Sequence, residues 1–152
     1  MVQRISPFLI VILLPLCAFA QEVNQQALPE KTRILFVLDG SGSMNATWGS
    51  NKSRMDVARE ILSRLVDSLR ANPTLELALR VYGHRYVRQS NNCNDSQLEV
   101  PFTTRNHDAI INKIKDLTPR GVTPITYSLL QAANDFPSGP GYRNIVILIT
   151  DG

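Results

Sequence analysis

The sequence predicts an α/β fold with a doubly wound, mainly parallel central sheet flanked by helices. Residues 33–38 and 144–150 are largely apolar runs, as in strands that are covered on both faces. Between the predicted strands, apolar residues recur three and four positions apart, which is the spacing of a helix with one buried stripe. Strands that alternate with helices are typical of a mainly parallel sheet.

The boundaries of the elements follow from apolar spacing and from the positions of proline and glycine. Pro101 places its strand at an edge of the sheet, because proline cannot donate a hydrogen bond to a ladder. In chain order we predict a linker (21–31), a strand (33–38), a helix (53–71), a strand (75–81), a polar loop (84–96), a short strand (97–102), two helices (109–117 and 125–136) and a strand (144–150).

Length and composition indicate a single globular domain. The chain has 152 residues, of which 43% are hydrophobic and 19% charged, and this excludes collagen-like, coiled-coil and disordered chains. The formal net charge of +3 is too small to indicate nucleic-acid binding. Two cysteines are too few for a disulfide scaffold.

Residues 1–20 predict a cleaved secretory signal. Residues 8–16 are almost entirely apolar, and Ala18 and Ala20 occupy the two positions that a signal peptidase reads. A membrane anchor would need about 20 apolar residues, and a lipoprotein would normally have a small residue before Cys17. We therefore expect a secreted or periplasmic protein without a stable membrane span.

Signal cleavage would leave Cys93 as the single cysteine of the mature chain. A lone thiol in an oxidising compartment is often half of a disulfide, whose other half would lie in another chain or beyond residue 152. The alternative is a buried, unpaired cysteine, since free cysteines are among the most buried residues.

Five oxygen-bearing side chains form a candidate cation site. Asp39 and Asp151 follow the two apolar strands, so the two carboxylates should meet at the carboxyl edge of the sheet. Ser41 and Ser43 alternate with glycines that permit a tight loop, and Thr123 stands just before a helix. An all-oxygen set suits Mg²⁺, and without a Cys/His cluster it argues against zinc.

These five positions resemble the metal-ion-dependent adhesion site of the von Willebrand factor A domain, which has the integrin I-type, Rossmann-like fold. That site reads Asp-x-Ser-x-Ser, then a distant Thr and a distant Asp. The resemblance covers about residues 32–152, which we take as the domain. The segments 83–85 and 93–95 are similar to a bacterial secreted branch, and Val122 departs from the family, which often has Gly there.

The resemblance implies Mg²⁺, or alternatively Mn²⁺ or Ca²⁺, contacted by the serines and the threonine. The aspartates of the family usually act through water or from outside the ligand shell, which leaves the cation electrophilic. The implied partner is a protein that supplies a Glu or Asp carboxylate. A complete domain of the family has two further strands with their helices, so we expect a C-terminally incomplete domain with an exposed edge at residues 145–149.

The expected function is thus a metal-dependent protein-binding module, not an enzyme. The first alternative is a magnesium-dependent phosphatase with Asp39 as nucleophile, although such enzymes usually carry a second carboxylate where this chain has Ser41. A serine hydrolase would need Gly-x-Ser-x-Gly and a base. The second alternative is an envelope-assembly scaffold in which the metal is structural.

Three further features near the predicted site have structural interpretations. His84 is expected to pack or hydrogen-bond within its loop rather than bind metal, because no second ligand is spaced for it. Arg80, Arg85 and Arg88 are interpreted as a solvated basic face that could steer an acidic partner. Trp48 is expected to pack under the loop that follows Asp39, with an exposed binding anchor as the alternative.

Overall fold

A computed structural model of the chain describes residues 31–49 and 51–152. The predicted signal (1–20) and the predicted linker up to residue 30 lie outside the described residues. The elements are, in chain order, β1 (Lys31–Asp39), β2 (Thr47–Trp48), β3 (Lys52–Ser53), α1 (Arg54–Ser68), β4 (Leu75–Tyr82), β5 (Ser96–Thr103), α2 (His107–Asp116), α3 (Ile125–Asp135) and β6 (Tyr142–Ile149).

The main sheet has four strands in the order β5-β4-β1-β6. Strand β1 runs parallel to both β4 and β6, and β5 is antiparallel to β4. The predicted α/β fold with a mainly parallel sheet is therefore confirmed. The strand that contains Pro101 lies at the edge of the described sheet, as its proline predicts.

Strand β1 is central because its side chains are apolar on both faces. Ile34, Phe36 and Leu38 belong to one buried cluster, together with residues of α1 and α2. Leu35 and Val37 belong to the other, which includes Ala132 of α3 and is packed by Ile125 of the same helix and by Phe136, which follows it. Helices thus cover both faces of the sheet, and β1 carries its last residue into the carboxyl edge.

Helix α1 begins at a capping box. The Ser53 hydroxyl accepts a hydrogen bond from the backbone N–H of Asp56, and the Asp56 carboxylate accepts one from the backbone N–H of Ser53. Such a cap stabilises a helix start by about 1 kcal/mol. Because the cap fixes where α1 begins, it places Arg54 in the first turn, beside the end of β6.

Strand β6 pairs with β1 on one side, and among the described residues no strand pairs with its other side. Val146 and Leu148 remain 42% and 37% exposed on this strand.

No helix within residues 31–49 and 51–152 combines the length and the apolar character that crossing a bilayer requires.

Two side chains differ from the sequence interpretation. Arg80 is buried rather than part of a solvated face, because its Nε and Nη2 donate to the two carboxylate oxygens of Asp135 at 2.6 and 2.7 Å. A paired charge can be buried where an isolated one cannot. Trp48 is 59% exposed and does not pack under the loop after Asp39, because it lies on a short hairpin formed by β2 and β3.

Candidate metal centre

The loop after β1 folds back on its own first carboxylate. The backbone N–H of Gly40 donates to the carbonyl of Tyr82 at 2.7 Å, which extends the β1–β4 contact by one residue. The N–H of Ser41 then donates to Asp39 Oδ1 at 2.7 Å, and both of these residues are fully buried. The Oγ atoms of Ser41 and Ser43 lie 2.9 Å apart as a result.

Asp151 joins this loop from the end of β6. Its Oδ1 accepts a hydrogen bond of 3.1 Å from the Ser43 hydroxyl, although 108 residues separate the two positions. Strands β1 and β6 are parallel with Leu38 opposite Ile149, so their carboxyl ends coincide. The expectation that Asp39 and Asp151 lie at one edge of the sheet is met, and the two serines connect them.

Thr123 lies on the neighbouring loop. The backbone of that loop is tied to the first loop by hydrogen bonds from Arg120 N to Gly40 O at 3.1 Å and from Gly42 N to Gly121 O at 2.9 Å. The Thr123 side chain is exposed, and within residues 31–49 and 51–152 its hydroxyl makes no hydrogen bond to the other four predicted ligands. Four predicted ligands are therefore linked by hydrogen bonds, and the fifth stands on an adjoining loop.

Two residues that the sequence analysis did not assign to the site contact its carboxylates. The Thr150 hydroxyl donates to Asp39 Oδ2 at 3.0 Å, and Arg54 Nη1 donates to Asp151 Oδ2 at 2.5 Å. Thr150 could have been found from its position beside Asp151 at a strand end. Arg54 has no such signal, because its role depends on where the first turn of α1 lies relative to β6.

Glycines allow three loops to meet at this edge. Gly83 has a φ of +68°, and a Cβ built there would lie 2.3 Å from the carbonyl oxygen of Val122 and 3.1 Å from Ser41 Cα. A Cβ at Gly40 would lie 2.7 Å from the Cβ of His84. Any larger residue at either glycine would push the loops apart, so the backbone contacts need glycine.

The motif segments 83–85 and 93–95 meet around one buried carboxylate. Asp95 is fully buried and accepts hydrogen bonds from the backbone N–H groups of Arg85 and Tyr86 at 3.0 and 3.2 Å. Its other oxygen accepts from Arg85 Nε at 2.9 Å. The carboxylate thus shapes the loop that borders the site.

Cys93 is exposed, so the buried, unpaired alternative is wrong.

His84 forms a hydrogen bond and does not lie in a metal cluster. Its Nε2 lies 2.7 Å from Glu99 Oε1, and Lys113 Nζ lies 2.5 Å from Glu99 Oε2. Burial lowers the pKa of His84 below its usual value, although Glu99 and Asp95 oppose this. Burial alone would raise the pKa of Glu99, but hydrogen bonds from Lys113 and His84 outweigh it and leave that pKa below its usual value.

The oxygen atoms at the site are suitable ligands for a hard divalent cation. Hydroxyl and carboxylate oxygens approach one another at 2.9 and 3.1 Å, and oxygen is the ligand atom that Mg²⁺, Mn²⁺ and Ca²⁺ prefer. In the part of the chain that the structure describes, no three His, Cys, Asp or Glu side chains form a metal-binding group. A cation at this edge would therefore depend on the hydroxyls of Ser41, Ser43 and Thr123.

Three of the solved structures with a similar fold are of bacterial pilus proteins. The vWF domain of the type V pili tip protein Mfa5 from Porphyromonas gingivalis has a TM-score of 0.64 and 23% sequence identity, over 83% of this chain and 39% of that chain. The PilB minor pilin from Streptococcus sanguinis has a TM-score of 0.59 and 22% identity, over 80% of this chain and 30% of that one. The pilus adhesin SpaC from Lactobacillus rhamnosus GG, in its open conformation, has a TM-score of 0.63 and 18% identity, over 80% and 15%.

These similarities show a shared fold, and the chain spans 39% or less of the length of each of the three proteins. No curated protein matches the chain. The sequence model of the von Willebrand factor type A domain matches residues 34–152, which is more than half of the chain. The chain therefore belongs to the von Willebrand factor type A domain family.

Proposed function

We propose that this domain binds a protein partner through a divalent cation, Mg²⁺ in the first place, at the carboxyl edge of its sheet. The observation that carries the proposal is the hydrogen-bonded series from Asp39 through Ser41 and Ser43 to Asp151, which brings ligands from two distant segments together. Thr123 on the adjoining loop would complete the set of five.

The residues divide into those that would hold the cation and those that orient them. The Ser41 and Ser43 hydroxyls point to each other and would turn their oxygens to the metal. Asp39 is held by the Ser41 N–H and the Thr150 hydroxyl, so its carboxylate has a fixed orientation. Hydrogen bonds that orient a residue of a metal site in this way commonly raise metal affinity by about 10- to 100-fold.

Charge explains why an acidic partner would be preferred. Asp39 and Asp151 contribute two negative charges, and the ion pair with Arg54 offsets one of them. A bound divalent cation would then leave a net positive charge at an edge where hydroxyls, which are neutral, supply most of the direct ligands. A Glu or Asp carboxylate is the side chain that best complements such a site.

The relatives support an extracellular binding role. SpaC is described as a pilus adhesin and Mfa5 as a pili tip protein. The predicted secretory signal at residues 1–20 agrees with a place outside the cytoplasm. We therefore include secretion, to the periplasm or the cell surface, in the proposal.

A binding role also agrees with the environment of Asp39. This side chain is fully buried, and each of its carboxylate oxygens already accepts a hydrogen bond. A nucleophile must reach its substrate with a free oxygen, so the phosphatase alternative finds little support. Phosphate-ester turnover by the purified chain that disappears in Asp39→Asn would replace the present proposal by that alternative.

Direct titration with Mn²⁺ and Mg²⁺ tests the metal site. Ser43→Ala removes one hydroxyl from the series and should weaken cation binding at least tenfold by calorimetry. Ser68→Ala is the matched control, because the Ser68 hydroxyl is exposed and bonds only to the Leu65 carbonyl of its own helix. Equal affinities for the wild type and Ser43→Ala would refute the assignment.

A peptide probe tests the metal bridge. The Mg²⁺-loaded chain should bind a short peptide with one Glu and not the same peptide with Gln, as measured by NMR shift changes. Addition of EDTA should abolish the shifts. Unchanged binding in EDTA would exclude a bridging cation, and a bound cation that never affects peptide binding would favour the scaffold with a structural metal.

A further inference from the structure

Tyr82 carries a buried hydroxyl that has no hydrogen-bond partner among the described residues. The residue is 0% exposed, and its ring packs in the cluster of Leu35, Val37 and Ala78. A buried hydroxyl without a partner destabilises the folded chain, because it has lost its hydrogen bonds to water. Such a group in a packed strand calls for an explanation.

The position of Tyr82 connects this hydroxyl with the candidate metal centre. Tyr82 is the last residue of β4 and lies opposite Asp39 in the parallel register of β1 and β4. Its carbonyl accepts the N–H of Gly40, so the backbone of Tyr82 is fixed against the start of the ligand loop.

The Tyr82 hydroxyl is a hydrogen-bond donor that has no acceptor among the described residues. Tyr82 packs with Leu35 and Val37, which alternate with Asp39 along β1, so its side chain lies on the same face of the sheet as the Asp39 carboxylate. At this edge the Thr150 hydroxyl donates a hydrogen bond to Asp39 Oδ2, whereas the Tyr82 hydroxyl makes no hydrogen bond to any described residue.

We propose that Tyr82 is a positioning residue of the metal centre, whose hydroxyl donates a hydrogen bond to Asp39 in the cation-bound state. This inference rests on the proposed function. Asp39 Oδ1 accepts from the Ser41 N–H and Oδ2 from Thr150, and a carboxylate retains lone pairs for a third donor. A third donor would fix the carboxylate plane while the serine oxygens turn toward the metal.

Removal of the Tyr82 hydroxyl should have opposite effects in the metal-free and the cation-bound states of the chain. In the metal-free state the hydroxyl is unpaired, so its removal should leave thermal stability unchanged or increase it. In the cation-bound state its removal should weaken binding, because Asp39 loses one of three donors. A residue that serves packing alone would not separate the two states in this way.

The test is Tyr82→Phe, which removes the hydroxyl and keeps the ring. In EDTA its unfolding temperature should equal or exceed that of the wild type, while its affinity for Mn²⁺ should fall about tenfold. The electron paramagnetic resonance spectrum of bound Mn²⁺ should also change. Tyr86→Phe is the matched control, since Tyr86 lies in the loop that borders the site and is 45% exposed, and it should match the wild type in all three measurements.

Each outcome bears on one of the two proposals. Absence of Mn²⁺ binding to the wild type would refute the proposed function. Binding by the wild type with equal affinity and spectrum in Tyr82→Phe would overturn the role of Tyr82 alone. A loss of stability in EDTA that accounts for the weaker binding would show that the hydroxyl serves the fold, and would overturn the inference as well.

Discussion

Arg54 and Asp151 form an ion pair across the candidate metal centre, with Arg54 Nη1 2.5 Å from Asp151 Oδ2. The Asp151 side chain is 3% exposed, whereas the Arg54 side chain is 34% exposed. The Nε of the same guanidinium is buried and has no partner among the described residues. The first turn of α1 thus holds a positive charge beside the carboxylate that ends β6.

Arg54→Gln should raise the affinity for Mn²⁺ by about tenfold or more. A guanidinium and a divalent cation about 7 Å apart repel each other by about 5 kcal/mol at an effective dielectric constant near 20, and about a third of this corresponds to a tenfold change in affinity. Glutamine removes that charge while it can still donate a hydrogen bond to Asp151. Calorimetric titration of Mn²⁺ measures the change.

Arg64→Gln is the control for this substitution, because Arg64 lies on the same helix, pairs with Glu60 and is 79% exposed. It removes the same net charge far from the carboxylates and should leave the affinity unchanged. Weaker Mn²⁺ binding in Arg54→Gln would show that orientation of Asp151 by the guanidinium outweighs charge repulsion.

Gly83→Ala should reduce the free energy of unfolding by more than about 3 kcal/mol. Alanine at a φ of +68° is strained by about 1–2 kcal/mol. Its Cβ would also lie 2.3 Å from the Val122 carbonyl oxygen, so the loop that leads to Thr123 must move away from Ser41. Urea unfolding measures the loss.

Gly49→Ala separates the two causes. Gly49 has a φ of +65°, but nothing lies within 4 Å of its added Cβ, so this variant carries the conformational strain without the clash. We expect it to lose about 1–2 kcal/mol. Similar losses in the two variants would mean that the contact between the three loops contributes nothing to stability.

The sequence predicts which strand ends form the site better than it predicts the side-chain contacts there. Continuous apolar runs and their following aspartates suffice to place Asp39 and Asp151 at one edge, because parallel strands share a direction. The buried position of Arg80 could not be read in this way, since its partner Asp135 lies 55 residues away on another element. Nor does periodicity show that Tyr82 lies opposite Asp39, because that pairing depends on the register between β4 and β1.

Acid should destabilise the chain through His84. Burial lowers the pKa of His84 in the folded state below its usual 6.5, so between that value and the folded pKa the unfolded chain binds more protons. Stability is therefore present above about pH 6.5 and lost as the pH falls through the folded pKa, by at most about 1.4 kcal/mol per pH unit. Glu99, Lys113 and Asp95 are the charged groups that influence this side chain.

Urea unfolding between pH 5 and 7.5 measures this loss, and His84→Gln should flatten it. The window lies above the usual value of 4.5 for Glu99, whose own lowered pKa acts at more acid pH. His107→Gln leaves the His84–Glu99 pair in place and should keep the slope that His84 causes. A slope that persists unchanged in His84→Gln would assign the pH dependence to another group.

The chain of residues 21–152 should self-associate through β6. An unpaired strand edge with apolar side chains is a template for another chain, and Val146 and Leu148 are 42% and 37% exposed on this strand. Val146→Lys places a charge there, as natural edge strands do, and should lower the aggregated fraction severalfold in light scattering at matched concentration.

Val87→Lys is the control, because it adds the same charge in a loop where Val87 is 55% exposed, away from the strand. If both variants reduced aggregation equally, net charge rather than the β6 edge would govern it, and a wild type that stays monomeric at the same concentration would contradict the prediction outright.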